Sequence, residues 1–236
     1  MHVPDGWVDL PTSAAAGAVA LSGTAVAARR AAAALRDRVT TLPAVMAAYL
    51  LVGQLLVIPV GFGTSAHLVG TGLAALLVGP AVAIVCVAVV VVVQALVLAD
   101  GGVTALGLNL VNDGLVPALV AWGVFAACRP LAGRSAPGGT GRRRTAALGG
   151  VAASAGALAA AAAATAAFVV GGTDAVPAEV VAASIGGGHV VLAAVEGGLT
   201  ALVLSTVLRL RPDLVRAVRR RGPAVPALPA SPVAGG

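Results

Sequence analysis

The chain holds three histidines, and the first stands second in the sequence, in MHVPDG. A histidine in that place offers three nitrogens in order: the Met1 amine, the His2 backbone nitrogen and the His2 imidazole Nδ1. They close a five- and a six-membered chelate ring in one plane and leave one planar position open. Four nitrogens in a plane select Ni(II) or Cu(II). A fourth donor can come from His67, in GTSAHLVGTG, or from His189, in GGGHVV. His67 is better placed, because it follows a glycine-rich stretch near the surface the terminus can reach. The competing readings are plain: a solvated side chain for His2, a capping or packing residue for His67. Val3-Pro4-Asp5-Gly6 fits a β-turn with proline second and glycine fourth, which would fold the terminus back over nearby helix ends.

A second set of polar residues lies inside apolar stretches. Asn109 and Asn112 are three apart, share one helix face, and have Asp113 beside them. A lone acid near mid-membrane costs ~2.5–3.5 kcal/mol on insertion scales, so Asp113 is neutral, paired or beside a polar cavity. It could draw cations inward or alter metal preference, and structural hydrogen bonding is the alternative. His189 and Glu196, seven apart, also share a face and read as structural pairing between helices. An intramembrane enzyme using His189, Glu196 and Asp113 is the rival from another class. It lacks a serine–histidine–acid or HExxH pattern, and no GxxxxGK[ST] loop is present to bind ATP. Polar residues at such depth are functional candidates by default, which makes these five a candidate surround or pathway.

Such residues need helices in lipid to position them. The chain is 59% hydrophobic and only 10% charged, with a mean hydropathy of +1.01, the composition of an all-α, multi-pass membrane protein. All fifteen basic residues are arginines, and they flank apolar spans, which argues against nucleic-acid binding. A span needs roughly 20 apolar residues. The pattern gives seven helices, at about 10–28, 42–60, 66–79, 81–99, 103–127, 145–170 and 178–208. The break at Gly79-Pro80 follows from proline's missing donor and its effect on the residue before it. With that break, the arginine groups at 29–38, 129–144 and 209–221 all face one side, which the positive-inside rule makes cytoplasmic. The amino terminus is then outside and the carboxyl terminus inside. Asp5 and Asp9 before the first apolar stretch, with Arg29-Arg30 after it, reverse the polarity of a signal peptide. The expected organisation is one membrane domain over 1–214 and a basic, Pro/Ala-rich disordered tail over 215–236.

MHVPDG, GTSAHLVGTGLAALLVGP, QALVLADGGVTALGLN and GHVVLAAVEGGLTALVLSTVLRLRPDLV, in this order, resemble the CbiM/NikM family. These are the substrate-binding membrane subunits of energy-coupling-factor nickel and cobalt transporters. The resemblance implies a transporter subunit rather than an enzyme, in a bacterial plasma membrane, with no tightly bound cofactor. It implies that Met1, His2 and His67 hold the transported ion, Ni(2+) or Co(2+), nickel being favoured and cobalt for cobalamin synthesis the alternative. It also implies a membrane coupling (T) subunit, paired cytoplasmic ATPases and a small auxiliary membrane subunit as partners. The chain departs from the family at Asp113, where a methionine usually follows the second asparagine.

Overall fold

The computed structural model describes residues 2–35, 41–61, 64–132, 139–174 and 176–218. Seven helices appear among them: α1 (Leu10–Leu35), α2 (Leu42–Gln54), α3 (Thr71–Val78), α4 (Pro80–Val97), α5 (Leu106–Cys128), α6 (Gly139–Gly171) and α7 (Ala178–Leu210). Five of these, α1 and α4 to α7, are long and apolar enough to cross a membrane, while α2 and α3 are shorter. Apolar side chains such as Val89, Leu119, Val170 and Leu202 are exposed, whereas His67, Asn109, Asn112, Asp113, His189 and Glu196 are buried. That is the inverse of a water-soluble surface, and it fits a multi-pass membrane protein.

The boundaries depart from the sequence expectation in instructive places. The second helix stops at Gln54 rather than 60, because Val57-Ile58-Pro59 disfavours helix before and at the proline. The chain then forms a hairpin of β1 (Ile58–Gly61) and β2 (Thr64–Ala66), antiparallel with Ile58 opposite Ala66. His67 is therefore not in a helix: the third helix, expected from 66, starts at Thr71, after Gly70 in the left-handed region at φ 70°. Glycine adopts that conformation without steric cost. The break at Gly79-Pro80 falls as expected, with Gly79 at φ 92° and α4 opening on Pro80. Helix α1 runs seven residues past the expected end, through Arg29 and Arg30, as its alanine-rich sequence permits. Helix α6 begins at 139, so Arg142 to Arg144 are helical rather than in a loop. Within the stretch expected to be a tail from 215, Val215 and Ala217 are buried and Arg129 Nη2 donates to the Val218 carbonyl at 3.2 Å. Arg36, Arg38, Arg134, Arg219 to Arg221 and the rest of the tail lie outside the described residues.

The core is centred on α3 and α4, where Ala74, Ala75, Leu76, Ala83 and Val87 are fully buried. Helices α6 and α7 pack on small residues: a Cβ on Gly150 would lie 2.5 Å from the Gly197 carbonyl oxygen. Such residues let helix backbones approach where lipid offers no hydrophobic drive.

A separate apolar cluster holds the amino-terminal arm. Val3, Trp7 and Val8 pack with Leu108, Phe168 and Ile185, and the Trp7 and Phe168 rings stand 4.7 Å apart between centroids. The arm is also stitched to the α6–α7 connection. Asp9 donates its N–H to Gly171 O at 2.7 Å, Thr173 N–H donates to Trp7 O at 3.2 Å, and the Thr173 hydroxyl donates to Gly6 O. The turn in the arm is one residue later than its sequence indicates, closing from Trp7 N–H to Pro4 O at 3.4 Å with Gly6 at φ 76°. It shifts because both backbone groups of Val3 are engaged elsewhere.

Candidate metal centre

Three segments far apart in sequence deliver one side chain each to a common point. An imidazole nitrogen of His2, one of His67 and a carboxylate oxygen of Asp113 all lie within 4.8 Å of one another. The His2 and His67 rings stand 4.6 Å apart between centroids, inclined at 39°. His2 Nε2 is 3.9 Å from Asp113 Oδ2, and His2 Nδ1 is 3.1 Å from Asp100 Oδ1. That second contact holds the Asp100 carboxyl below the ordinary carboxylate range.

The His2 segment is fixed by a neutral clamp. Val3 N–H donates to Asn109 Oδ1 at 2.7 Å, and Asn109 Nδ2 donates to Val3 O at 3.1 Å. Gly102 N–H adds a bond to the same Val3 carbonyl at 2.9 Å. Gly102 has to be glycine, because a Cβ there would lie 2.4 Å from Asp5 N. Asp5 Oδ1 in turn accepts the amide of Thr104 at 2.7 Å and its hydroxyl at 2.6 Å, and these donors depress the Asp5 pKa.

The His67 segment is fixed by an acidic clamp from α7. Glu196 Oε2 accepts Val69 N–H at 3.0 Å, and Oε1 accepts Gly70 N–H at 3.1 Å. Gln54 Nε2 donates to the Val69 carbonyl at 3.2 Å. His67 Nδ1 lies 3.0 Å from Leu68 O, so its N–H sits on that nitrogen, and Nε2 keeps its lone pair. Nε2 is buried with no hydrogen-bond partner among the described residues. A fixed tautomer with an open second nitrogen is the usual preparation of a metal-binding histidine.

Asp113 lies in a π-helical turn, Val111–Leu115, inside α5. Such turns insert an extra residue into a helix and re-aim the side chains around it. Thr71, four residues after His67, donates its hydroxyl to the Asp113 carbonyl at 2.5 Å, bracing this turn against the His67 loop.

The other sequence-indicated residues divide. Met1 lies outside the described residues. Asn109 clamps the arm, and Glu196 holds the His67 loop instead of pairing with a neighbouring helix. His189 Nδ1 turns to Ile185 O of its own helix at 2.8 Å, not to a neighbouring helix; its Nε2 has no partner among the described residues, and Asp113 is within electrostatic reach. Asn112 is buried with no hydrogen-bond partner for its side chain among those residues. Sequence reading missed Asp100, Gly102 and Thr71, whose roles depend wholly on what folds against them. The GTS-x-H segment marked the loop, but nothing marked the threonine behind it.

The family model described as the cobalt uptake substrate-specific transmembrane region matches residues 2–214. A protein of Haloquadratum walsbyi named for metal transport is 34% identical over 222 residues, covering 91% of this chain and 93% of its own. A fused nickel transport protein NikMN of Archaeoglobus fulgidus is 32% identical over 215 residues, covering 91% of this chain and 68% of its own. Among solved structures, a truncated transition metal transporter superposes with a TM-score of 0.72 at 26% identity, covering 89% of this chain and 99% of that one. These matches, spanning the arm, the His67 loop and the last helix, place the chain in the CbiM family as a membrane-embedded substrate-binding component of cobalt and nickel transport, not an enzyme.

Proposed function

We propose that this chain is the substrate-capture subunit of an energy-coupling-factor ABC transporter that imports a divalent transition metal. The ion is held by the Met1 amine, the His2 backbone nitrogen and imidazole Nδ1, and the imidazole of His67. Nickel is the favoured cargo for four planar nitrogens, and cobalt feeding cobalamin synthesis is the alternative. The membrane coupling subunit, paired ATPases and small auxiliary subunit supply energy and delivery. The arm lies on the extracytoplasmic side, with the arginine-bearing helix ends opposite it in the cytoplasm.

One observation carries the reading: the rings of His2 and His67, 65 residues apart in sequence, stand 4.6 Å apart between centroids. The arm cannot be there by accident of flexibility, because Asn109, Gly102 and Thr173 each bind its backbone. Chelation through Nδ1 requires His2 to release Asp100, since a nitrogen that donates its N–H to the carboxylate has no free lone pair for the metal.

The test is to add two glycines before Met1, since a single one would build a complete amine–amide–amide–imidazole chelate of its own, and to measure bound metal together with intact mass. The displaced amine can no longer close the chelate, so bound nickel and uptake are lost while the protein folds. Uptake unchanged by the extension, or by acylation of Met1, overturns the reading. Affinity also falls with pH from about 8 towards 6, approaching roughly a hundredfold per unit, because an amine with a pKa of ~7.7–8.0 and the His2 backbone nitrogen each have to lose a proton to coordinate.

A further inference from the structure

Three observations about Asp113 converge. Its side chain is fully buried, its carboxylate shares a 4.8 Å neighbourhood with nitrogens of His2 and His67, and it sits in the one π-helical turn among the described residues. Donors at ~2.0–2.2 Å from one ion are at most roughly 4.4 Å apart. Three donors sharing one ion cannot all reach that limit and stand roughly 3–3.8 Å apart, so the trio has to close by about 1 Å. The His2 ring has to turn as well, since Nε2 faces Asp113 at 3.9 Å while the chelating Nδ1 faces Asp100. The brace from the Thr71 hydroxyl ties the Asp113 backbone to the start of α3, just after the loop carrying His67.

We propose that Asp113 is a direct ligand of the transported ion, adding a carboxylate oxygen to the imidazoles of His2 and His67. This rests on the reading that the two histidines hold the ion. The consequence concerns which ion is accepted. A planar set of nitrogens favours d8 Ni(II) and d9 Cu(II). An oxygen outside that plane raises the coordination number and weakens the preference, which suits Co(II) in a mixed nitrogen–oxygen environment. Asp113 thereby widens the acceptance of this chain from nickel towards cobalt.

The charge argument runs the same way. Chelation through the backbone nitrogen displaces its proton, so that nitrogen and the Asp113 carboxylate together balance a divalent ion in a site walled by lipid-embedded helices. An uncompensated charge at that depth is costly, and a neutralised ion is not.

The alternative role for Asp113 is to accept the N–H of His2 Nε2 without touching the ion. Asparagine separates the two, because its carbonyl can still accept an N–H but brings no charge and is a poor ligand. The experiment uses the full-length chain in detergent, loaded with Ni(II) or with Co(II), as wild type, Asp113→Asn and Asp113→Met. Affinity is measured by equilibrium dialysis and ligand field by visible absorption. The expected result is a Co(II) affinity about 10–100-fold lower in both variants, at least the loss seen when a supporting residue of a metal site is removed. Ni(II) affinity falls less, and the Ni(II) form of Asp113→Met gains the intense visible band of planar, diamagnetic nickel. Unchanged Co(II)-to-Ni(II) preference and unchanged spectra in a folded Asp113→Asn overturn the proposal, whatever Asp113→Met does. The glycine extension isolates the premise: metal binding that survives the extension but is lost in Asp113→Asn refutes the amine chelate and leaves the carboxylate ligand standing.

Discussion

The arm carrying His2 and the loop carrying His67 meet at one point, yet a neutral amide holds the first and a carboxylate the second. The difference follows from what each backbone offers. Val3 presents one N–H and one C=O to the same side chain, so its complement is a group with one acceptor and one donor, the amide of Asn109. Val69 and Gly70 present two successive N–H groups where the chain enters α3, so their complement needs two acceptors, the two oxygens of Glu196. The acid stands where two donors and the nearby helix start can hold it. The two clamps also differ in reach. Asn109 belongs to α5, the helix that carries Asp113, while Glu196 comes from α7 and bonds across to the His67 loop.

This comparison can be broken most sharply by emptying each clamp. Glu196→Leu strands two buried backbone N–H groups and Asn109→Leu one, Val3 N–H, because the Val3 carbonyl keeps the Gly102 N–H, at ~1–3 kcal/mol apiece. Both variants should lower the thermal unfolding midpoint in detergent, with Glu196→Leu the larger because it leaves two donors unpaired and Asn109→Leu one. Equal midpoints for the variants and the wild type would show that the clamps follow the fold and do not fix it.

A finer probe separates placing the arm from stabilising the fold. Gly102→Ala drives a Cβ into the Asp5 backbone, and it should weaken metal binding, measured by equilibrium dialysis, more than it lowers the unfolding midpoint. Gly70→Ala forces a left-handed residue to carry a side chain, a strain of roughly 1–2 kcal/mol. Its Cβ would also sit 3.0 Å from Tyr49 Cε1. It should therefore lower the midpoint and the affinity together. The reverse pattern would mean that the loop tolerates movement and the arm does not need its position.

The smallest effect concerns Asp5. The Thr104 hydroxyl and amide depress its pKa, so this contact stabilises the folded arm above the ordinary carboxylate pKa of 3.8 and ceases to do so as pH falls through the lower folded value. Thr104→Val should flatten the acid end of the stability profile slightly, read by unfolding between about pH 2 and 6. An unchanged profile would remove Thr104 from the account.

The helical class, the membrane setting and the break at Gly79-Pro80 were legible in the chain, because apolar runs and proline act locally. The helix ends were less so. The second helix stopped early at a proline that its apolar run concealed, and Arg29, Arg30 and Arg142 to Arg144 proved compatible with helix. Within the candidate site, the histidines stood out by type and Asp113 by its cost in lipid. The partners of Asn109 and Glu196 did not, since an asparagine or glutamate in an apolar helix looks the same whether it clamps a backbone or faces another helix.

By itself the sequence determined that hydrophobic helices would enclose a few polar residues, since composition and the spacing of apolar residues decide that without reference to other segments. The tertiary structure alone decided that His2, His67 and Asp113 share one neighbourhood. Their proximity is set by long-range bonds from Asn109 to Val3, Glu196 to Val69 and Gly70, and Thr71 to Asp113, spanning 106, 127, 126 and 42 residues. No local pattern encodes such separations; only the packed helices bring the complementary donors and acceptors within reach.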